Sequence, residues 1–366
     1  MSLVKRFRDG IADGYVLGPV RVATSALLGW HALQAAEQLG RVGYFGDGFH
    51  IATLPESLVP SAKAYGLAVA ARVCLAVLAA LGVWARPALG LGSVLGVWHL
   101  LCDRNQFHHN RYSLFCFAFL LAFTPCDRSW RLAGERDVPE PRTGPFWAVY
   151  VAQAQVALIY LASGGAKLVD ADWRDGVVVA ERVLRAAPYA RLHGVPDRLL
   201  QWLAQPDTAS ALAKGAIMTE LLLCSALLLR PTRIIALWWG LWFHIVIQLV
   251  ANVETFSILM LAMYGLFVTP DFQARKLRYD PSRLSGKLTG LAVPFLDWFG
   301  RFEVEPWQPD DQRGHSVVVV RRDGEPATGI RAFAMLTRCI PLLFPIWAPV
   351  ALVASFTQRG DLTTRG

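Results

Sequence analysis

A lysine at the end of a long apolar run is the residue in this sequence best placed to do chemistry. Lys167 follows Ala162-Ser163-Gly164-Gly165-Ala166, and small residues of this kind let helices approach closely. Its ammonium is therefore expected either to be partly buried, which makes a lysine a usable base, or to act as an ordinary anchor that snorkels to the interface. The polar motifs outside the apolar runs form a short set: Tyr44-Phe45-Gly46-Asp47-Gly48-Phe49-His50, Asp103 to Asn110 with His108 and His109, and Asn252 with Glu254. Three histidines, one lysine, one glutamate and several Asx side chains offer proton transfer and hydrogen bonding, or else an ordinary solvated rim. Neither CxxC nor a Cys/His metal spacing occurs, so no metal is expected.

Inside the apolar runs sit Arg21, Arg72, His99, Glu220 and His244. Ionisable groups at membrane depth are functional candidates by default. Arg21 and Glu220 are expected either to pair with each other structurally or to bind substrate, and His99 to be a hydrogen-bonded packing residue.

The elements that must position these groups are membrane helices. Of 366 residues, 54% are apolar and only 17% charged, with mean hydropathy +0.36, against roughly 25% charged in soluble proteins. At about 20 residues per crossing, eight spans are predicted: 15–35, 65–83, 88–101, 112–124, 146–164, 211–229, 234–250 and 256–268. The third, fourth and eighth are short. The stretch 340–356, broken by Pro341, Pro345 and Pro349, is either a kinked ninth span or an interfacial helix. The fold class is thus an all-α polytopic bundle of about eight to nine helices. Residues 1–269 would form the membrane domain, 270–331 a small polar subdomain and 332–366 a proline-interrupted apolar tail. Within 270–331, the β-branched run 316–322 ending in Asp323-Gly324 is a hairpin signal.

Lys5, Arg6 and Arg8, then Arg128, Arg131, Arg136 and Arg142, then Arg275, Lys276 and Arg278 fall on one side of an eight-span arrangement. By the positive-inside rule that side is cytoplasmic, which puts the amino terminus inside and the candidate polar motifs outside. No cleavable signal peptide is read. The net charge of +8 is assigned to cytoplasmic loops, so membrane lipid and not nucleic acid is the expected partner. A Cys102–Cys126 disulfide is not expected.

The stretch from Tyr160 to Gly176, Tyr-Leu-Ala-Ser-Gly-Gly-Ala-Lys-Leu-Val-Asp-Ala-Asp-Trp-Arg-Asp-Gly, resembles the lysine segment of the vitamin K-dependent γ-glutamyl carboxylases, within the wider HTTM (horizontally transferred transmembrane) domain family. Further ordered matches are Tyr44 to His50, Phe107 to Tyr112, Pro125-Cys126-Asp127-Arg128-Ser129-Trp130, and Trp242 to Gln248 followed by Phe256-Ser257-Ile258. Together they span about residues 15–270. The resemblance implies a lysine that deprotonates reduced vitamin K or another quinol, with Lys167 in that place and Trp173 in the Asp-Ala-Asp-Trp run beside it. The family histidine of the third-to-fourth loop falls on His109 or on Asn110, and His244 is similar to the histidine of a later Phe-His pair. Arg21, His50, His108, Asn252 and Glu254 are the remaining candidate substrate-binding residues.

The carboxylases continue into a large substrate-recognition domain for which no counterpart is expected here, so carboxylation of a protein glutamate is not the expected reaction. A quinol-linked membrane enzyme of a bacterial-type inner membrane is therefore set beside an alternative: a non-catalytic HTTM factor for export or maturation of a peptide or protein partner. Residues 316–348 also resemble the end of small DCC-type thiol oxidoreductases, without their cysteines. No inverted repeat of the transporter kind is evident.

Overall fold

A computed structural model describes residues 11–37, 39, 53–103, 107–132, 143–145, 147–229, 232–253, 255–268, 275–297, 301–307, 314–320, 324–347, 349–351 and 353–355. The chain divides into two compact units, residues 1–269 and 270–366.

The first unit is helical. Its elements are α1 (Gly14–Glu37), α2 (Ala62–Leu81), α3 (Ala85–Cys102), α4 (His109–Leu121), α5 (Trp147–Val169), α6 (Ala171–Arg174), α7 (Val177–Leu192), α8 (Asp197–Leu203), α9 (Pro206–Ala226), α10 (Arg233–Ala251) and α11 (Thr255–Tyr264). A 3₁₀ turn, Gly265–Phe267, continues α11. A core containing Val20, Leu28, Phe115, Val156, Leu223 and Met260 runs through the bundle. The outward faces are apolar too, with Leu67, Leu91, Leu158, Leu222, Ile235 and Trp242 exposed. Contiguous apolar surface of this extent is unusual on a protein in water and suits helices bathed in lipid.

Among the described residues four helices, α2, α5, α9 and α10, are long and apolar enough to cross a membrane, fewer than the eight spans predicted. The physical reason is visible in the others. Helix α1 is long but carries Arg21, His31, Gln34 and Glu37. At 1.5 Å per residue, the 13 residues of α4 reach only about 20 Å, short of a hydrocarbon core of about 30 Å. The segment 167–210, which lies between the predicted spans 146–164 and 211–229, is mostly helical: the end of α5, then α6, α7, α8 and the start of α9.

A two-stranded ribbon, β1 (Ile11–Asp13) with β2 (Thr143–Pro145), is antiparallel. It ties the segment before α1 to the segment before α5, two places predicted to share one side of the membrane. Near them Arg21 forms a clamp of hydrogen bonds to main-chain carbonyls. Its Nη1 donates to Cys126 O (2.6 Å) and Ser129 O (2.9 Å), and its Nη2 to Ala80 O (3.2 Å) and Trp130 O (2.5 Å). These are carbonyls at and beyond helix ends, which lack intrahelical partners. None of the six cysteines is in a disulfide.

The second unit is an α/β fold. Its sheet has the order β4 (Phe302–Pro306), β3 (Arg275–Tyr279), β5 (Val317–Val320), β6 (Pro326–Thr328). The β3–β4 pair is parallel and joined through α12 (Leu284–Leu296), while β5 and β6 run antiparallel, giving the predicted hairpin. Asp323 lies outside the described residues. The boundary expected at 331/332 falls inside α13 (Gly329–Cys339), whose Ala332 and Leu336 are buried with Leu277 and Val319. Ile340 joins the same core, and a 3₁₀ turn, Pro341–Ile346, follows it. The prolines that interrupt 340–356 thus open it as a turn packed on the sheet unit and not as a straight span.

Two glycines at similar left-handed angles test how tightly the first unit is built. Gly176 (φ +84°) joins α6 to α7, and a Cβ there would collide with the Ala209–Ser210 backbone, whereas Gly194 (φ +82°) has open space around it. Gly194→Ala should cost about 1 kcal/mol through its backbone angle alone. Gly176→Ala should cost at least about 3 kcal/mol, read as the larger drop in thermal unfolding temperature of the purified protein in lipid nanodiscs.

Candidate functional site

Helix α5 builds the site. Tyr160, Ser163, Gly164 and Lys167 stand at i, i+3, i+4 and i+7, the spacing that puts side chains on one helical face. At Gly164 α9 packs tightly: a Cβ there would lie 3.1 Å from Leu221 Cγ and 3.2 Å from Glu220 Cβ. This approach places the Glu220 carboxylate on Lys167. The Lys167 Nζ donates to Glu220 Oε1 (2.5 Å), Glu220 Oε2 (2.6 Å) and Ser163 Oγ (2.6 Å). The side chains are only 15% and 5% exposed, so the pair is largely withdrawn from solvent. An Arg21–Glu220 pair, one of the two alternatives for these residues, does not form, since Arg21 is fully buried on main-chain carbonyls and Glu220 is held by Lys167.

The short helix α6 brings an aromatic lid. Asp170 caps it, its Oδ1 accepting from the N–H groups of Asp172 (2.9 Å) and Trp173 (3.4 Å). Trp173 then stands with its ring centroid 4.9 Å from Lys167 Nζ and 5.3 Å from the Arg182 guanidinium of α7, within the range of cation–π attraction.

Nearer the start of α5, the Tyr160 hydroxyl lies 2.6 Å from both His244 Nε2 and the Tyr264 hydroxyl. His244 Nδ1 lies 3.3 Å from Ser257 Oγ. Gly240 makes room for this network, because any Cβ there would overlap the Tyr264 hydroxyl. Glu220 is in electrostatic range of Tyr160, and Lys167 of His244. The ion pair and the Tyr–His–Tyr network are therefore neighbouring parts of one polar interior.

His109, at the amino end of α4 ahead of the apolar run from Tyr112, is also reached by the Lys167 charge. Desolvation first, then the positive charges of His108, Arg182 and Lys167, hold its ring below the ordinary histidine range. At neutral pH it is an uncharged hydrogen-bonding group. His108 stacks on it at 4.3 Å. Asn110 is buried, and its Oδ1 has no hydrogen-bond partner.

Of the predicted residues, Lys167, Trp173, His109 and His244 are thus associated, with His108 and Asn110 adjoining. Asn252 is exposed at the end of α10 in a left-handed conformation (φ 44°), accepting from Gln248 Nε2 at 3.3 Å, and makes no contact with the ion pair. Arg21 belongs to the main-chain clamp. His50 and Glu254 lie outside the described residues. Sequence reasoning missed Ser163, Tyr160, Tyr264 and the true partner of Glu220. The signal for the first two was present, since both share a helical face with Lys167. Among the described residues no group of three or more His, Cys, Asp or Glu side chains is arranged to hold a metal ion.

A buried ion pair is costly to break from one side and much less costly to remove whole. Glu220→Ala should destabilise by about 3–5 kcal/mol, and Lys167→Met by a similar amount. The double variant should cost at least about 2 kcal/mol less than the sum of the two. Thermal unfolding of the four proteins in nanodiscs measures the cycle.

A family model for the HTTM domain matches residues 12–272. No solved structure matches the chain. The match covers well over half of the sequence and takes in every residue of the ion pair and its surroundings, so this integral membrane protein belongs to the HTTM domain family.

Proposed function

We propose that the chain is a membrane-embedded enzyme, similar to the vitamin K-dependent carboxylases, in which Lys167, backed by Glu220, accepts a proton from the hydroxyl of a lipid-soluble quinol or similar apolar substrate. The observation that carries this reading is the close Lys167–Glu220 contact in a solvent-poor interior. Transfer of one proton from Nζ to Oε1 converts the charged pair into a neutral amine and a neutral carboxyl. The desolvation cost of two buried charges works against the charged form, and the amine then has a lone pair for a substrate proton.

Reduced vitamin K or another quinol, when bound, supplies an ionisable hydroxyl and reducing electrons. The residues suit a hydroxylated ring: Asn110 Oδ1 is a buried acceptor without a partner, and Trp173 offers an aromatic face beside Nζ. His109, uncharged, and His244, fixed by Tyr160 and Ser257, are placed to orient substrate or to stabilise a developing oxyanion.

The same reading takes α1 to α5, α9, α10 and α11 with its 3₁₀ turn as eight spans, the shorter ones entering without a full straight crossing. The basic residues near the span ends put the amino terminus in the cytoplasm of a bacterial-type inner membrane. The β1–β2 ribbon, which joins two of the basic segments on one side, supports that orientation.

The test is aerobic turnover of menaquinol or reduced vitamin K by the full chain in nanodiscs, followed as epoxide formation. Wild type should turn over. Lys167→Ala should lose about 10³-fold and Glu220→Gln about 10²-fold, each measured per folded protein at a temperature below its own unfolding midpoint. Normal turnover by Lys167→Ala would make the lysine an anchor and sink the mechanism. A wild-type protein inert toward every quinol would instead favour the non-catalytic factor for a peptide or protein partner.

A further inference from the structure

A second polar cluster lies among α1 to α4, away from the helices that hold Lys167 and Glu220. Its centre is Arg72, the eleventh residue of the 20-residue helix α2. If α2 crosses the bilayer, this is mid-depth. Arg72 is only 3% exposed. Its Nη2 donates to His31 Nδ1 at 2.7 Å, and its guanidinium carbon sits 5.4 Å from the centre of the Phe115 ring. His31 in turn makes edge contacts with the rings of His99 (5.8 Å) and Phe115 (5.2 Å). His99 is hydrogen-bonded to the Tyr65 hydroxyl.

This arrangement leaves the arginine incomplete. Nη1 is buried and has no hydrogen-bond partner, and no carboxylate among the described residues forms an ion pair with Arg72. Asp103, the acidic group close to this cluster, is in electrostatic range of His99. A neutral imidazole and a phenyl ring do not neutralise a guanidinium. A buried cation without a counter-charge is strongly disfavoured, and side chains of this kind at membrane depth pair or mark a ligand path. Arg21, the other arginine buried to this degree among the described residues, shows the contrast: both of its terminal nitrogens are on carbonyl oxygens and only its Nε lacks a partner.

We propose that Arg72, with His31 beside it, is the binding site for an oxyanion of the carboxylate class, held against Nη1 in the apolar interior between α1, α2 and α4. Arginine suits this ligand because its planar fork matches carboxylate geometry. Two sources share the chemistry: a fatty acid that enters from the bilayer, and a small soluble carboxylate. The site does not depend on Lys167 acting as a base.

The experiment titrates the full chain in nanodiscs with sodium oleate, methyl oleate or sodium formate, and follows thermal unfolding by tryptophan fluorescence. Oleate or formate should raise the unfolding temperature saturably, by about 5 °C at saturation, and methyl oleate should not. A response to oleate alone assigns a lipid source, and one to formate a soluble source. Arg72→Gln should abolish the rise, while Lys167→Ala should keep it even if that variant proves fully active with quinol. The proposal is overturned if neither carboxylate shifts the wild type, if methyl oleate matches oleate, or if Arg72→Gln responds like wild type. Should Arg72→Gln fail to fold, the wild-type comparison of oleate and formate with the uncharged ester decides alone.

Discussion

The contact of α5 with α9 at Gly164 is the constraint on which the rest of the site depends. Without a Cβ at that position the two helices come close enough for a carboxylate on one to reach an ammonium on the other, and neither group need extend to water. Once Glu220 is fixed, Lys167 is fixed, and Trp173 and Arg182 from the following helices close over it. The same face of α5 carries Tyr160 to the Tyr264–His244–Ser257 network. One helix thus organises two polar devices, and a glycine, at 164 for the first and at 240 for the second, opens the space for each.

Much of this was legible in the sequence because membrane helices announce themselves by length and apolarity. The ends of α1, α2, α9 and α10 lie within a few residues of prediction, apart from the amino end of α9. Lys167 stood out because small residues precede it. What was not legible came from groups whose meaning depends on a partner far away in the chain. Arg21 and Glu220 looked alike as charges in apolar runs. One turned out to collect main-chain carbonyls and the other to hold a lysine 53 residues away. No local pattern separates these outcomes. The segment 167–210 lacks a continuous apolar run because its arginines break the pattern, yet α7 and α8 form there and pack on each other through Val183, Ala187, Ala190 and Leu200.

The tail shows a different ambiguity of local reading. The apolar stretch beginning at Ile340 has the composition of a span, but Ile340 and Leu336 complete the core of a small mixed sheet. Burial in a sheet unit and burial in lipid select the same residue types, and the prolines were the local hint that the stretch opens with a turn. Conversely, the β-branched run before Asp323-Gly324 was sufficient to identify its hairpin, because strand and turn chemistry are both local.

The central claim is that a proton moves between Lys167 and Glu220 when a quinol occupies the site. Infrared difference spectroscopy of the protein in nanodiscs, with and without a redox-inert quinol analogue that keeps the hydroxyl, observes this directly. The account predicts that a protonated-carboxyl stretching band appears on binding and is absent in Glu220→Gln. A binding difference spectrum without that band, or one in which Glu220→Gln retains it, would contradict the account.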